Sequence, residues 1–173
     1  MGVRFEPIIE MPCLVTGLWK RFSVHLFEGK VTVEDMEEIE RRSEAWHAKI
    51  PGKMVEMVVV FPSDARMTSE ERAKMAHIIK RWEGSREASA TVILAQGLVG
   101  AGHRAVLTGL QMLVPAPHPV KVFGATNDAI VWLAPHVRKL SGPDATPEAL
   151  AAALDDLSTR FRQRASTPSL KKA

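Results

Sequence analysis

Cysteine is almost missing from this chain. Cys13 is the single one among 173 residues, so no internal disulfide can form and stability has to come from a packed core. Its setting, "PCLVTGL", reads as a small strand hydrophobe in a reducing compartment, with no basic neighbour to activate the thiol. Long hydrophobic runs are missing too: no window approaches the ~20 apolar residues that cross a bilayer. The start, "MGVRFEPIIEM", has no basic segment followed by an apolar one, and Glu6 stands where a myristoylation signal needs Ser or Thr. These absences predict a cytoplasmic protein with no membrane span.

Charge of one sign is scarce. The formal net charge is +3, and much of the excess sits in "TRFRQRASTPSLKKA". A basic stripe across the fold would be expected of a nucleic-acid binder, so nucleic acid is disfavoured and the tail reads as a solvated basic end. Signature chemistry is missing as well. There is no G-x-S-x-G elbow, no P-loop and no H-E-x-x-H. The six histidines, His25, His47, His77, His103, His118 and His136, lie on different elements without metal-ligand spacing. Asp64 and Glu56 have no specified acid–base partner and read as surface carboxylates. Trp19, Trp46, Trp82 and Trp132 occupy core-like positions and make no base-stacking pattern. The sequence therefore predicts no catalytic residues, no metal and no cofactor.

What is present is a layered α/β pattern. Apolar residues make up 46% and charged residues 25% of the chain, ordinary for one globular domain. "RFEPIIE", "CLVTGLW" and "FSVHLF" read as short strands. Thr32 with Asp35 caps a helix in "TVEDMEEIERRSEAWHAKI", whose Val33, Met36, Ile39, Ser43, Trp46 and Ile50 form the inward stripe. Glu34, Asp35, Glu37, Glu38 and Glu40 face elsewhere and suit the positive end of the helix dipole. "MVEMVVVF" is a buried strand. "TSEERAKMAHIIKRWEG" follows as a second helix with Met75, Ala76, Ile79 and Trp82 inward. "SATVILA" is another strand, "GLVGAGHRAVLTGLQMLV" a glycine-rich turn and third helix, and "VKVFG" a short strand.

"TNDAIVWLAPHVRKL" is a fourth helix, capped by Thr126 and expected to kink or stop at Pro135. A last helix has Thr146 as cap and Pro147 at its first position, with Leu150, Leu154, Leu157 and Phe161 as an apolar stripe. That stripe docks on the domain or on a partner.

The alternation predicts parallel strands joined by crossovers, with antiparallel strands added on one side. The sum is a mixed sheet of about five or six strands. The boundaries fall at 1–140 for the α/β domain, 141–164 for an accessory C-terminal helix and 165–173 for a disordered basic tail. Gly100, Gly102 and His103 sit between a strand and a helix, where backbone amides could hold an anion. Close packing of helix against sheet explains those glycines equally well.

"FEGKVTVEDMEEIERR", "MVVVFPSDARMTSEERAKMAHII", "RAVLTGLQML" and "PVKVFGATNDAIVWL" together resemble the STAS fold in its SpoIIAA-like branch, over about residues 5–135. The resemblance implies a mixed sheet with helices mainly on one face. It also implies a non-enzymatic bacterial regulatory module, of the kind that antagonises anti-sigma factors and binds a protein partner. Some members are switched by phosphorylation at the start of the second helix, in Asp-Ser-Ser/Thr-Gly. The matching place here reads Met67-Thr68-Ser69-Glu70. The hydroxyl pair is retained while the Asp and Gly are not, and Thr68 with Glu71 makes a capping box in its own right. Ser63, Asp64, Arg66, Thr68 and Ser69 are the candidates for partner binding or phosphoacceptance. The alternative is a domain binding a small ligand, a lipid or a nucleotide. The C-terminal helix offers self-association, as a homodimer, as a further use.

Overall fold

The computed structural model describes residues 2–63, 67–94 and 116–165, with side chains up to 163. The chain opens with three strands, β1 (Glu6–Met11), β2 (Leu14–Trp19) and β3 (Phe22–Phe27), followed by helix α1 (Val33–His47). Strand β4 (Met54–Val60), helix α2 (Ser69–Trp82) and strand β5 (Arg86–Ile93) come next, and a 3-10 turn at Glu83–Ser85 joins the last two. Strand β6 (Val120–Phe123) and helices α3 (Thr126–Ser141) and α4 (Pro147–Ala165) complete the described elements. The third helix expected within 98–114 lies outside the described residues.

The six strands form one sheet in the order β1-β2-β3-β4-β5-β6. β1, β2 and β3 pair antiparallel, whereas β3, β4, β5 and β6 pair parallel. This is the expected α/β class with a six-stranded mixed sheet. In one detail it departs from the expectation of helices mainly on one face: the described helices divide between the two. Parallel central strands are apolar on both sides and need cover on both. Val24, Leu26, Val55, Met57, Val59, Ala88, Ala90 and Val92 join α3 and α4 in the main core. Ile9, Cys13, Leu14 and Met54 meet Ile39 and Trp46 of α1 in a smaller core on the other side.

Local chemistry sets the helix ends. Thr32 and Thr68 each complete a capping box, with Asp35 and Glu71 respectively. Thr146 Oγ1 accepts from Ala149 N–H at 3.2 Å at the start of α4. Thr126 is not the cap of α3. The helix begins there, and Ala125 occupies the cap position without a side-chain bond. Nor does Pro135 stop α3, which runs on to Ser141. A proline deletes the N–H that would bond the carbonyl four residues earlier. That carbonyl belongs to Val131, which is 61% exposed, so water can satisfy it. Leu150, Leu154, Leu157 and Phe161 are all buried in the main core. Each such side chain contributes about 2 kcal/mol.

The inward face of α2 is rotated from the expected one. Ile78 and Glu71 are buried, whereas Ile79 is 50% exposed and Ala76 is exposed. Glu40 is likewise not a solvent-facing dipole charge. It is buried, with Lys74 and Arg81 of α2 each at 2.8 Å and His77 at 3.7 Å. Its pKa is lowered, first by the hydrogen bond from Lys74.

Candidate functional site

The loop that leaves the carboxyl end of β4 leads into α2, and this is where the candidate hydroxyls lie. Phe61 anchors its start. The ring is buried, its centroid is 6.4 Å from that of Phe161, and Arg162 lies over it at 4.9 Å. Ser63 is exposed on this loop. Asp64 and Arg66 lie outside the described residues, as do Gly100, Gly102 and His103, so the proposed anion site has no described geometry.

Thr68 and Ser69 are adjacent but do different jobs. Thr68 Oγ1 accepts from Glu71 N–H at 3.1 Å, and Thr68 N–H donates to Glu71 Oε2 at 2.6 Å. The threonine hydroxyl is thus committed to the cap. Ser69 is the first residue of α2 and is exposed. Its Oγ accepts from an Arg72 guanidinium N–H at 3.1 Å, while a second N–H of Arg72 donates to the Met67 carbonyl at 2.7 Å. Glu71 is buried, and Lys30 Nζ approaches it at 3.5 Å. The Thr68 N–H hydrogen bond is the main reason its pKa is lowered. Glu71 is therefore turned into the cap and paired. Of the two acidic residues beside the serine, Glu70 is the exposed one.

A second constellation occupies the sheet face covered by α1 and α2. In the sheet register Ser23, Glu56 and Ser89 lie side by side on β3, β4 and β5. His25 is two residues along β3 from Ser23. Arg86 grips Glu56 in a fork, Nε to Oε2 at 2.8 Å and Nη2 to Oε1 at 3.0 Å. His25 Nε2 stands 3.4 Å from Glu56 Oε1, and its Nδ1 bonds Thr16 Oγ1 at 3.0 Å. Burial pushes the Glu56 pKa up, but Arg86 and His25 outweigh it and bring it down to about 2. Ser89 Oγ and His118 Nε2 are 3.0 Å apart, both residues buried. Burial, then Arg86, lowers the His118 pKa.

Beside this network the His47 ring is stacked between Trp46 and Trp82, with centroids 3.9 and 4.1 Å away. Burial first, reinforced by His25 and Arg86 and opposed by Glu56, lowers its pKa to about 4.

The sequence reading missed this face. Glu56 is no surface carboxylate, and three of the histidines taken as scattered approach one Glu–Arg pair. The available signal was the alternation in β3 and β4. His25 and Glu56 interrupt runs of Val, Leu and Met at positions pointing away from the main core. Among the described residues no group of three or more His, Cys, Asp or Glu side chains could hold a metal ion. Among them, too, no helix is long and apolar enough to cross a membrane.

No family model matches the chain, and no curated protein matches it. Among solved structures it is similar to a protein of the DUF3478 family with a SpoIIAA-like fold from Shewanella loihica PV-4. The match covers 69% of this chain and 91% of that one, at a TM-score of 0.52 and 18% sequence identity. The fold is SpoIIAA-like. At that identity the likeness concerns architecture. It accords with the fold implied by the resemblance carried by "MVVVFPSDARMTSEERAKMAHII" and its neighbours.

Proposed function

We propose that this chain is a non-catalytic regulatory module that binds a protein partner through the surface around residues 63–72, with Ser69 as its phosphoacceptor. One observation carries the choice of residue. Thr68 is consumed by the capping box, whereas Ser69 presents an exposed hydroxyl on the first turn of α2 with Arg72 at 3.1 Å.

A phosphoryl group there adds about −1.5 to −2 charges. It meets the positive end of the helix dipole and backbone N–H groups that lack intrahelical partners. The Arg72 guanidinium is in place to pair with it. Glu70 opposes the added charge, but Glu71 is already occupied by Thr68 and Lys30. Arg72 also holds the Met67 carbonyl. Drawing it toward a phosphate therefore loosens the loop that leads into α2, which is how a local charge becomes a change in recognition surface.

The test is affinity capture with the full chain, Ser69→Ala and Ser69→Asp, each checked for an unchanged fold. A partner retained by wild type and Ser69→Ala and released by Ser69→Asp supports the reading. Equal capture by all three, or by none, contradicts it.

A further inference from the structure

The contact between α1 and α2 has an unusual centre. His47, the last residue of α1, places its imidazole between Trp46 on its own helix and Trp82, the last residue of α2. The planes of His47 and Trp82 differ by only 7°. Among the described residues no hydrogen bond to the ring is seen, and stacking joins the two helix ends there. Elsewhere the described contacts between α1 and α2 are largely ionic, through Glu40 and Glu44 to Lys74, His77 and Arg81.

We propose that His47 latches the C-terminal end of α2 to α1, and that taking up a proton releases it, so that α2 opens in mild acid while the sheet and the α3–α4 layer stay folded. The charges around the ring set the direction. Arg86 on β5 and His25 on β3 oppose a cation at His47, and Glu56 on β4 favours one but is already held by Arg86. On α2, Arg81 lies over the Trp82 ring at 5.5 Å and is bound by Glu40 and Glu44 of α1. An imidazolium would therefore share Trp82 with a second cation. Stacking on an indole attracts a cation, but partial burial beside two cationic groups outweighs it.

The closed latch holds the His47 pKa near 4, down from the ordinary 6.5. Once α2 swings away the ring regains water and its ordinary value. The open state then binds more protons than the closed one below pH 6.5, and opening grows easier as pH falls from there toward 4. The protection of α2 amides falls about tenfold between pH 7 and 5.5, and about fiftyfold by pH 4.5. Glu40 and Glu56 have lowered values and keep their charge throughout the upper part of that window. The latch operates whether or not Ser69 carries a phosphate.

Hydrogen exchange of the full chain at pH 7 and pH 5.5, expressed as protection factors, tests this against His47→Phe, which keeps a flat ring and cannot titrate. His47→Gln serves as the second non-titrating variant. The expected result is that residues 74–82 exchange through an opening of lower free energy than β4 and α3 do, and lose protection in wild type but in neither variant, accompanied by a change in indole emission. Three results overturn the proposal: no loss in wild type, the same loss in the variants, or residues 74–82 exchanging only through the same global opening as β4 and α3.

Discussion

Arg86 holds Glu56 through two parallel contacts of 2.8 and 3.0 Å, on adjacent parallel strands and beneath α1. This pair organises the polar face of the sheet. His25 leans on the same carboxylate at 3.4 Å. Removing one partner leaves a largely buried charge unpaired, which is far more costly than removing both. Arg86→Met is expected to destabilise the chain by about 3 kcal/mol, and adding Glu56→Leu to recover most of that loss. Urea unfolding of the two variants measures it. A double variant no more stable than the single one would show that the fork is not the source of the penalty.

Acid should weaken the whole fold in two stages. His47 is held down at about 4, so its contribution is complete above pH 6.5 and is lost as pH falls through 4. Glu56 is held at about 2 against an ordinary 4.5, so its contribution is present above 4.5 and is lost as pH falls toward 2. Each is worth up to ~3 kcal/mol. Thermal melts at pH 7, 5 and 3 should show a falling midpoint, with the first decrement missing in His47→Phe and the second reduced in Glu56→Gln.

The hydroxyl pair can be separated by stability alone. Thr68→Ala removes one half of a capping box and should cost about 1 kcal/mol. Ser69→Ala removes an exposed oxygen that accepts from Arg72 and should fall within about 0.5 kcal/mol of wild type. Chemical denaturation of both variants checks the order. A larger cost at Ser69 would mean that its hydroxyl, rather than that of Thr68, supports the helix.

Helix α4 is wedged against the sheet at a glycine. A Cβ built on Gly17 would stand 2.6 Å from Leu157 Cδ2 and 2.9 Å from Phe5 Cβ. Gly17→Ala should therefore destabilise by about 1–3 kcal/mol through overpacking. Phe161→Ala, which empties a buried site at the far end of the stripe, should cost about 3–5 kcal/mol. If α4 were only loosely attached, both would be near neutral in thermal melts.

Features fixed by a few neighbouring residues were legible in the sequence. The Thr32 and Thr68 boxes need only a hydroxyl and an acid three residues on, and the α4 stripe needs only its spacing. The parallel strands followed from the alternation of elements. The polar face was not legible, because His25, Glu56 and Arg86 are about 30 residues apart and meet only through strand register. The inward face of α2 was misjudged for a related reason. Ile78 and Ile79 are adjacent and equally apolar, and the ion pairs from Glu40 to Lys74 and Arg81 set the rotation that buries the first. Pro135 misled because its cost depends on burial, and the carbonyl it deprives belongs to Val131, an exposed residue.

The account rests on Ser69 being the residue that is switched. Phosphopeptide mapping of the chain recovered from its own cells tests that most directly. The expected result is phosphate on Ser69 and none on Thr68, whose oxygen is tied to Glu71. Phosphate on Thr68 instead, or an unmodified 63–72 segment under every growth condition, would contradict it.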